Sequence, residues 1–179
     1  MSHFGFSVST KDCVGCKACE IACKNRNELQ SPGPRLRHVV TKTVGEFPNV
    51  KVMHMSMACM HCADPACLKA CPAGAIVKLE DGAVVGVRDK CIGCHYCYFA
   101  CPFGVPQYRD EDGTMIKCDS CIDRRKQGLE PACAHSCFYG GLEAGDLSEL
   151  AENKVNEASL MAAGTEPSLV SDADLSDLI

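Results

Sequence analysis

The stretch CIGCHYCYFACP, residues 91–102, decides the fold of this 179-residue chain. Its four cysteines are spaced C-x2-C-x2-C-x3-C, and the same spacing occurs at residues 13–23. Two further groups differ only in the gap before the third cysteine, which lengthens from two residues to four and to eleven. The four groups use all sixteen cysteines: Cys13, Cys16, Cys19 and Cys23; Cys59, Cys62, Cys67 and Cys71; Cys91, Cys94, Cys97 and Cys101; Cys118, Cys121, Cys133 and Cys137. The sequence is therefore a fourfold cysteine repeat.

The rest of the composition indicates a small apolar core. The chain has no Trp, and aromatic residues make up 6% of it, so it lacks the side chains that usually dominate core packing. Domains with small cores are held together by disulfides, metals or partners. The N-terminal sequence MSHFGFSVSTKDC has no basic region and no apolar stretch of an export signal. We therefore expect synthesis in a reducing cytosol, where clustered cysteines are more often metal ligands than disulfides.

The spacing itself indicates iron–sulfur chemistry. C-x2-C-x2-C-x3-C-P is the run with which bacterial ferredoxins bind [4Fe–4S] clusters. A tight loop can place three thiolates at three corners of a cube. The fourth cysteine, which we expect at the start of a helix that leads away, then serves a neighbouring cube. Four complete runs therefore predict four [4Fe–4S] clusters.

Two other uses of sixteen cysteines fit the spacing less well. Structural zinc sites use pairs of C-x2-C separated by longer spacers, whereas each group here is a complete run of four. Disulfides between neighbours in C-x2-C-x2-C would be strained. A zinc-stabilised interaction module is the alternative from outside the redox proteins.

Simple counts argue against several other classes of function. No apolar run approaches the roughly 18 residues that span a bilayer, so no direct membrane span is expected. The net charge of −5 argues against nucleic acid as a partner. The phosphate-binding patterns GxxxxGK(S/T) and GxGxxG are not found. No acid–base pair or nucleophile suggests catalysis by this protein.

Local patterns predict short strands and helices around the cysteine groups. Residues 5–10, GFSVST, predict a strand, and the β-rich runs on either side of residues 45–48 predict two more. Asp81-Gly82 between apolar runs predicts a hairpin turn. Short helices are expected to follow the fourth cysteine of the first three groups. The methionines at positions 53, 55, 57 and 60 are expected to pack in the core.

Three histidines lie inside the cysteine groups: His61, His95 and His135. Histidine replaces cysteine in Rieske centres, where two histidines accompany two cysteines. Each group here already has four thiols. We therefore expect these histidines to pack or to tune a cluster and not to ligate iron.

The C-terminal segment differs in charge from the rest of the chain. Residues 142–179 contain nine acidic residues and one base, Lys154, and every cysteine precedes them. A helix is expected to start near Asp146 or Ser148. We assign residues 147–179 to an acidic C-terminal tail or strap, either a solvated segment or a strap on a partner subunit. The second alternative rests on apolar residues that recur among the acids: Leu169, Val170, Leu175, Leu178 and Ile179.

The motifs together resemble a known family. They are GF…CVGCKACEIACK, CMHCADPACLKACPAGAI, CIGCHYCYFACPFGVPQY and KCDSCIDR…PAC. Their order and gaps resemble the four-cluster iron–sulfur subunit of DMSO-reductase-type molybdopterin oxidoreductases, over residues 4 to about 146. The resemblance implies an α+β fold of two bacterial-ferredoxin-like modules, each binding two [4Fe–4S] clusters. Residues 52–106 would form one module, and residues 1–51 and 107–146 the other, which is split across the chain.

The resemblance also implies which cysteines hold which cluster, with the fourth cysteine of each group serving the paired group. Cluster I would be held by Cys13, Cys16, Cys19 and Cys137, and cluster II by Cys59, Cys62, Cys67 and Cys101. Cluster III would be held by Cys91, Cys94, Cys97 and Cys71, and cluster IV by Cys118, Cys121, Cys133 and Cys23.

The function implied by the resemblance is electron transfer, with the chain not an enzyme by itself. It would relay electrons between a molybdopterin (Mo or W) catalytic subunit and a quinone-linked membrane-anchor subunit or other redox partner. Cluster I would face the catalytic subunit and cluster III the membrane or external donor. With no signal of its own, the chain would be cytoplasmic, or exported with a twin-arginine-bearing partner and membrane-associated through a partner. The alternatives are a free-standing polyferredoxin shuttle and a subunit of a formate dehydrogenase- or hydrogenase-type complex.

Overall fold

The computed structural model describes residues 3–153 and 165–172. Within them the chain is an α+β structure of short elements joined by cysteine-bearing loops, as predicted. The strands are β1 Phe4–Val8, β2 Arg37–Val44, β3 Lys51–Ala58, β4 Ile76–Lys78, β5 Val84–Gly86, β6 Gln107–Tyr108, β7 Met115–Ile116, β8 Leu142–Asp146 and β9 Leu169–Ser171. The helices are α1 Ala18–Arg26, α2 Ala66–Lys69, α3 Tyr96–Ala100, α4 Ile122–Arg125, α5 Ala132–His135 and α6 Leu147–Asn153, with a 3-10 turn at Arg88–Lys90.

A three-stranded sheet, in the order β8-β1-β9, joins the two ends of the described chain. Strand β1 pairs antiparallel with β8, with Phe4 opposite Asp146. It pairs in parallel with β9, with Phe6 opposite Leu169. The strand predicted before the first cysteine group is therefore confirmed as β1. Because β1 is held on both sides, it fixes where the first cysteine loop begins.

The other sheets of the described residues are two-stranded hairpins. Strands β2 and β3 pair antiparallel along all eight residues of each, which confirms both predicted strands. Strands β4 and β5 flank the predicted turn, where the Asp81 carboxylate accepts a hydrogen bond from Ala83 N at 3.0 Å. Gly82 at the turn has φ of +83°, a conformation that glycine adopts without strain.

In the second and third groups the helix lies before the fourth cysteine, so the prediction that a helix follows Cys71 and Cys101 is wrong. In the first group the helix includes Cys23 and continues for three residues beyond it. Helix α1 contains both the third and the fourth cysteine of its group, and α3 ends one residue before Cys101. Residues in the left-handed conformation, Lys17 (φ 62°) and His95 (φ 64°), turn the chain into these helices. The reason is geometric: the x3 gap separates two cysteines by about one helical turn. The helix therefore carries the chain from the third cysteine to the fourth.

The core consists of apolar side chains packed directly against cysteines. Phe6 and Val8 of β1 are buried together with Met55, Met57 and Met60. They form one cluster with the buried cysteines Cys19, Cys118 and Cys133. The predicted core role of the methionines is thus confirmed at these three positions. Since thiols and apolar groups share one interior, packing and ligand placement depend on each other.

The C-terminal segment is part of the body of the molecule wherever the structure describes it. The expected helix is confirmed as α6, and β9 joins the sheet of β1. Leu169 and Val170 are 9% and 0% exposed in that sheet. The assignment of this region to a tail or partner strap is therefore wrong for residues 165–172, because their apolar side chains pack on β1 of the same chain. Leu175, Leu178 and Ile179 lie outside the described residues.

Candidate metal centres

The structure gathers cysteines that are far apart in sequence into groups of four. Two of these quartets each line a cavity. In both, three cysteines come from one loop and the fourth comes from the end of another group. Quartet I is Cys13, Cys16, Cys19 and Cys137, and quartet III is Cys91, Cys94, Cys97 and Cys71. These are the residues named above for clusters I and III.

Quartet II is defined by thiols that are close enough to repel one another when ionised. The Cys67 thiol lies within electrostatic reach of Cys59, Cys101 and Cys62. Cys62 in turn lies within reach of Cys59 and Cys101. Cys101 comes from the third sequence group and therefore lies with the loop cysteines of the second.

Quartet IV shows the same relation between the last and the first sequence groups. Cys23 lies within electrostatic reach of Cys133 and Cys121. Cys118 lies within reach of Cys133 and Cys23. Cys118, Cys121 and Cys133 are buried along with Cys23, so this quartet is the most enclosed of the four.

The quartets are neighbours in a fixed spatial order. Cys19 of quartet I lies close to Cys133 of quartet IV, and Cys118 of quartet IV lies close to Cys59 of quartet II. Cys67 of quartet II packs in the same apolar cluster as Cys97 of quartet III. The order is therefore I, IV, II, III.

Helix α1 explains how one group serves two quartets. Cys19 and Cys23 are four residues apart, which places them on the same face of the helix. Four residues correspond to a rise of about 6 Å along the axis. Cys19 therefore lies with quartet I while Cys23 lies with quartet IV, one turn further along.

The cysteines are all free thiols, and burial raises the pKa of eight of them: Cys13, Cys19, Cys23, Cys62, Cys67, Cys97, Cys118 and Cys121. Burial raises the pKa of Cys23 to about 12 and that of Cys67 to about 12, and it raises the pKa of Cys118 well above its ordinary value. The thiolate is the form that binds metal. These buried groups therefore require a cation to ionise them, and binding of iron would release their protons.

Neutral donors hydrogen-bond to several of the cysteine sulfurs. In quartet III the backbone N–H groups of Ala75 and Met115 donate to sulfur, and the Tyr108 hydroxyl lies against a third thiol. In quartet I the Ser56 hydroxyl lies against sulfur. The contacts are Ala75 N to Cys71 at 3.3 Å, Met115 N to Cys91 at 3.2 Å, Tyr108 Oη to Cys97 at 3.4 Å and Ser56 Oγ to Cys19 at 3.2 Å. Donors of this kind set the reduction potentials of iron–sulfur clusters.

Two observations test whether a cluster suits the quartets. In residues 3–153 and 165–172, no group of three or more His, Cys, Asp or Glu side chains converges on a position for a single metal ion. Quartets I and III surround cavities instead. A cluster of four irons takes one thiolate at each iron and fits such an arrangement. The second observation is Arg37 Nη2, a buried donor that lacks a hydrogen-bond partner among the described residues. Cluster sulfur beside it would satisfy that donor.

Comparison with known proteins also points to iron–sulfur clusters. A family model described as a 4Fe-4S dicluster domain matches residues 50–147. The B subunit of anaerobic dimethyl sulfoxide reductase from Escherichia coli K12 is 40% identical over 94% of this chain and 88% of its own length. The protein belongs to the 4Fe-4S dicluster family. The B subunit of the same reductase from Haemophilus influenzae Rd is 38% identical over 95% and 89% of the two lengths. The nitrate-inducible formate dehydrogenase iron–sulfur subunit of E. coli K12 is 38% identical over 89% of this chain and 60% of its own length.

Membership of the 4Fe-4S dicluster family makes this chain an iron–sulfur electron-transfer protein. The relatives named above are subunits of a reductase and of a dehydrogenase. Among the residues described, no helix is long and apolar enough to cross a membrane.

The three histidines inside the cysteine groups of this dicluster-family protein contact other protein groups. His61 is 1% exposed, and its Nδ1 accepts a hydrogen bond from Val84 N at 3.0 Å. Burial lowers the pKa of His61 well below its ordinary value, so the ring is neutral. His95 stacks on Tyr108 with ring centroids 3.6 Å apart, and His135 lies 3.7 Å from the Glu130 carboxylate.

Sequence reasoning missed two features of the site. Arg37 is 2% exposed and lies among the thiols of quartets I and IV, yet it is separated from every cysteine group in the sequence. Residues 165–172 hold two cysteine loops: Ala63 N donates to Glu166 O at 2.7 Å, and Thr10 N donates to the Asp172 carboxylate at 2.7 Å. The repeated Leu and Val of this segment signalled burial but not the surface that buries them.

Proposed function

We propose that this chain carries four [4Fe–4S] clusters and relays single electrons through them. The observation that carries the proposal is the gathering of sixteen free thiols into four quartets. Each quartet combines three cysteines of one group with the fourth of another, and each would ligate the cluster of the same number. Each quartet thus supplies the four thiolates of a [4Fe–4S] cluster.

The spatial order supports an electron path I, IV, II, III. Neighbouring quartets share close thiol contacts: Cys19 with Cys133, and Cys118 with Cys59. The chemistry that a [4Fe–4S] cluster supplies is the acceptance and donation of one electron. The residues of the chain fix the spacing, exclude water from quartet IV and orient the donors to sulfur. The chain therefore acts as an electron carrier and not as a catalyst on its own.

The two-module arrangement follows from the same pairing. Quartets II and III exchange their fourth cysteines, as do quartets I and IV. Residues 52–106 would form one ferredoxin-like module, and residues 1–51 with 107–146 the other. The described part of the C-terminal segment, residues 165–172, contacts loops of both: Ser168 N donates to Met60 O at 2.9 Å, and Asp172 holds Thr10. It would therefore fasten the two modules together.

The partners are proposed from the named relatives. The B subunit of dimethyl sulfoxide reductase and the formate dehydrogenase iron–sulfur subunit are parts of larger oxidoreductases. We infer a molybdopterin catalytic subunit at one end of the path and a membrane-anchor or other redox subunit at the other. The protein would be cytoplasmic, or carried across the membrane with a partner that bears a twin-arginine signal. Formate-type partners stay the second candidate, because the identity to the formate dehydrogenase subunit is nearly as high.

Metal analysis of the anaerobically purified full-length chain tests this function. Four clusters require about 16 iron and about 16 acid-labile sulfide per chain. Iron near half that value, or zinc as the dominant metal, would contradict the proposal. Visible absorption is an independent control, because iron–sulfur proteins are brown and zinc proteins are colourless. Size exclusion of native extract separates a subunit, which runs in a larger complex, from a shuttle, which runs near its own mass.

A further inference from the structure

Lys117 lies buried at the junction of quartets II and IV. The residue is 5% exposed, and its Nζ donates to the carbonyl oxygens of Cys118, at 3.2 Å, and Val84. The Cys59 thiol also lies within electrostatic reach of the ammonium group. Cys59 belongs to quartet II and Cys118 to quartet IV. One ammonium group is therefore shared by two neighbouring quartets.

Arg37 occupies the corresponding position between quartets I and IV. Its Nη1 donates to Ser56 Oγ at 3.0 Å, and its guanidinium lies 4.8 Å from the centre of the Phe6 ring. Its Nη2 has no partner among the described side chains and backbone groups. The thiols within its electrostatic reach come from both quartets: Cys133, Cys118, Cys19 and Cys23.

A buried cation is strongly unfavourable unless anionic groups compensate it. Lys117 and Arg37 are both buried. No carboxylate pairs with either group in the ion pairs of the described residues. The negative charge that compensates them therefore comes from the cysteine quartets. An oxidised [4Fe–4S] cube with four thiolates carries a charge of about −2.

We propose that Lys117 and Arg37 are fixed positive charges that raise the reduction potentials of the clusters on either side, Lys117 for clusters II and IV and Arg37 for clusters I and IV. The inference rests on the proposed four-cluster function. Reduction adds one negative charge to a cluster, so a nearby cation stabilises the reduced form more than the oxidised form. Both cations are buried, and salt screens them little. They would tune the electron transfer between clusters I and IV and the electron transfer between clusters IV and II.

The test compares charge-removing variants of the full-length protein, purified anaerobically with its bound partners. Lys117→Met and Arg37→Met replace each cation by a long neutral side chain. Lys117→Arg and Arg37→Lys keep the charge, and Lys51→Met removes an exposed charge at the start of β3 as a matched control. Each variant is analysed for iron and sulfide and then titrated with a reductant while the clusters are followed by EPR.

The expected result is selective. Lys117→Met should lower the equilibrium constant for reduction of clusters II and IV at least tenfold, which corresponds to a drop of about 59 mV in the potential of a one-electron couple. Arg37→Met should have the same effect on clusters I and IV. Cluster III, none of whose cysteines is among the thiols near Lys117 or Arg37, should change least in both variants. The charge-keeping variants and Lys51→Met should leave the potentials near the wild-type values. Unchanged potentials, or equal shifts of all four clusters, overturn the inference.

Loss of clusters is also informative. If Lys117→Met loses iron while Lys117→Arg retains it, the positive charge is required and the inference stands. If both lose iron equally, shape and not charge is required, and the inference is overturned. A wild-type protein that lacks four clusters would instead overturn the proposed function, so the two failures are distinguishable.

Discussion

Asp172 connects the C-terminal segment to the first cysteine loop, and its substitution tests whether that segment stabilises cluster I. Its Oδ1 accepts from Thr10 N at 2.7 Å, and its Oδ2 accepts from Ser9 Oγ at 2.8 Å and Lys11 N at 3.4 Å. Cys13 N in turn donates to Ser9 O at 3.1 Å. One carboxylate therefore holds the turn that presents the first cysteine.

Asp172→Asn keeps the side-chain shape but turns one acceptor oxygen into an NH2 donor. The Thr10 hydroxyl also donates to Oδ1, at 3.2 Å, so at least one of the four donors then faces another donor. A hydrogen bond to a charged group contributes about 1.5–3 kcal/mol. Since Asp172 is partly exposed, we expect a loss near the lower end, about 2 kcal/mol. Every 1.4 kcal/mol is a factor of ten, so the loop should open about thirty times more often.

Two measurements follow this opening. Hydrogen exchange at the Thr10 and Lys11 amides should accelerate by that factor, and the EPR signal of cluster I should be lost first when a chelator is added. Asp146→Asn is the matched control, because Asp146 caps Ser148 N at 2.9 Å at the start of α6, outside the first cysteine loop. Unchanged exchange at Thr10 and Lys11, or an equal effect of the control, would refute the reasoning.

Three further outcomes are expected. Ending the chain after residue 164 should lower the iron content, because it removes β9 and the hydrogen bond of 2.9 Å from Ser168 N to Met60 O. Full iron content together with weaker partner binding would instead support the hypothesis that this segment is a strap on a partner subunit. Phe6→Ala should cost about 3–5 kcal/mol in anaerobic denaturant unfolding, since Phe6 is 2% exposed, and a cost below 1 kcal/mol would contradict the central role of β1. Burial raises the pKa of Asp172, but the hydrogen bonds to its carboxylate have the larger effect, so the pKa lies below its ordinary value. Its stabilising effect should therefore be complete above about pH 4 and fade as the pH falls through the lowered pKa, so protease cleavage within residues 165–172 should rise only at acid pH.

The repeat in the sequence was sufficient to predict the chemistry because cysteine spacing is directly constrained by cluster geometry. The strand before Cys13 and the turn at Asp81-Gly82 were likewise predictable from local patterns. The helices near Cys71 and Cys101 were misplaced because a gap of three residues fits a helix that begins at the fourth cysteine as well as one that ends just before it. Only the backbone, with its left-handed turn at Lys17 and His95, distinguishes the two.

One sequence could not predict which distant parts of the chain pack against each other. The pattern at Leu169 and Val170 signals burial, but nothing local says that β1 and not a partner provides the surface. Arg37 lies in the run RLRH, where a charged residue usually faces solvent. Its burial depends on two quartets assembled from four distant groups. Such a position becomes visible only when the cysteine groups have been brought together.

Cross-ligation is the central claim, and the grouping of cysteine variants tests it most directly. Cys137→Ser should perturb the same EPR signal and midpoint potential as Cys16→Ser, because both cysteines line one cavity. Cys23→Ser should group with Cys121→Ser, whose thiols are neighbours. A reductive titration of the four variants, followed by EPR, gives the grouping. If Cys137→Ser groups with Cys121→Ser instead, each sequence group holds its own cluster, and the paired modules and the electron path derived from them are wrong.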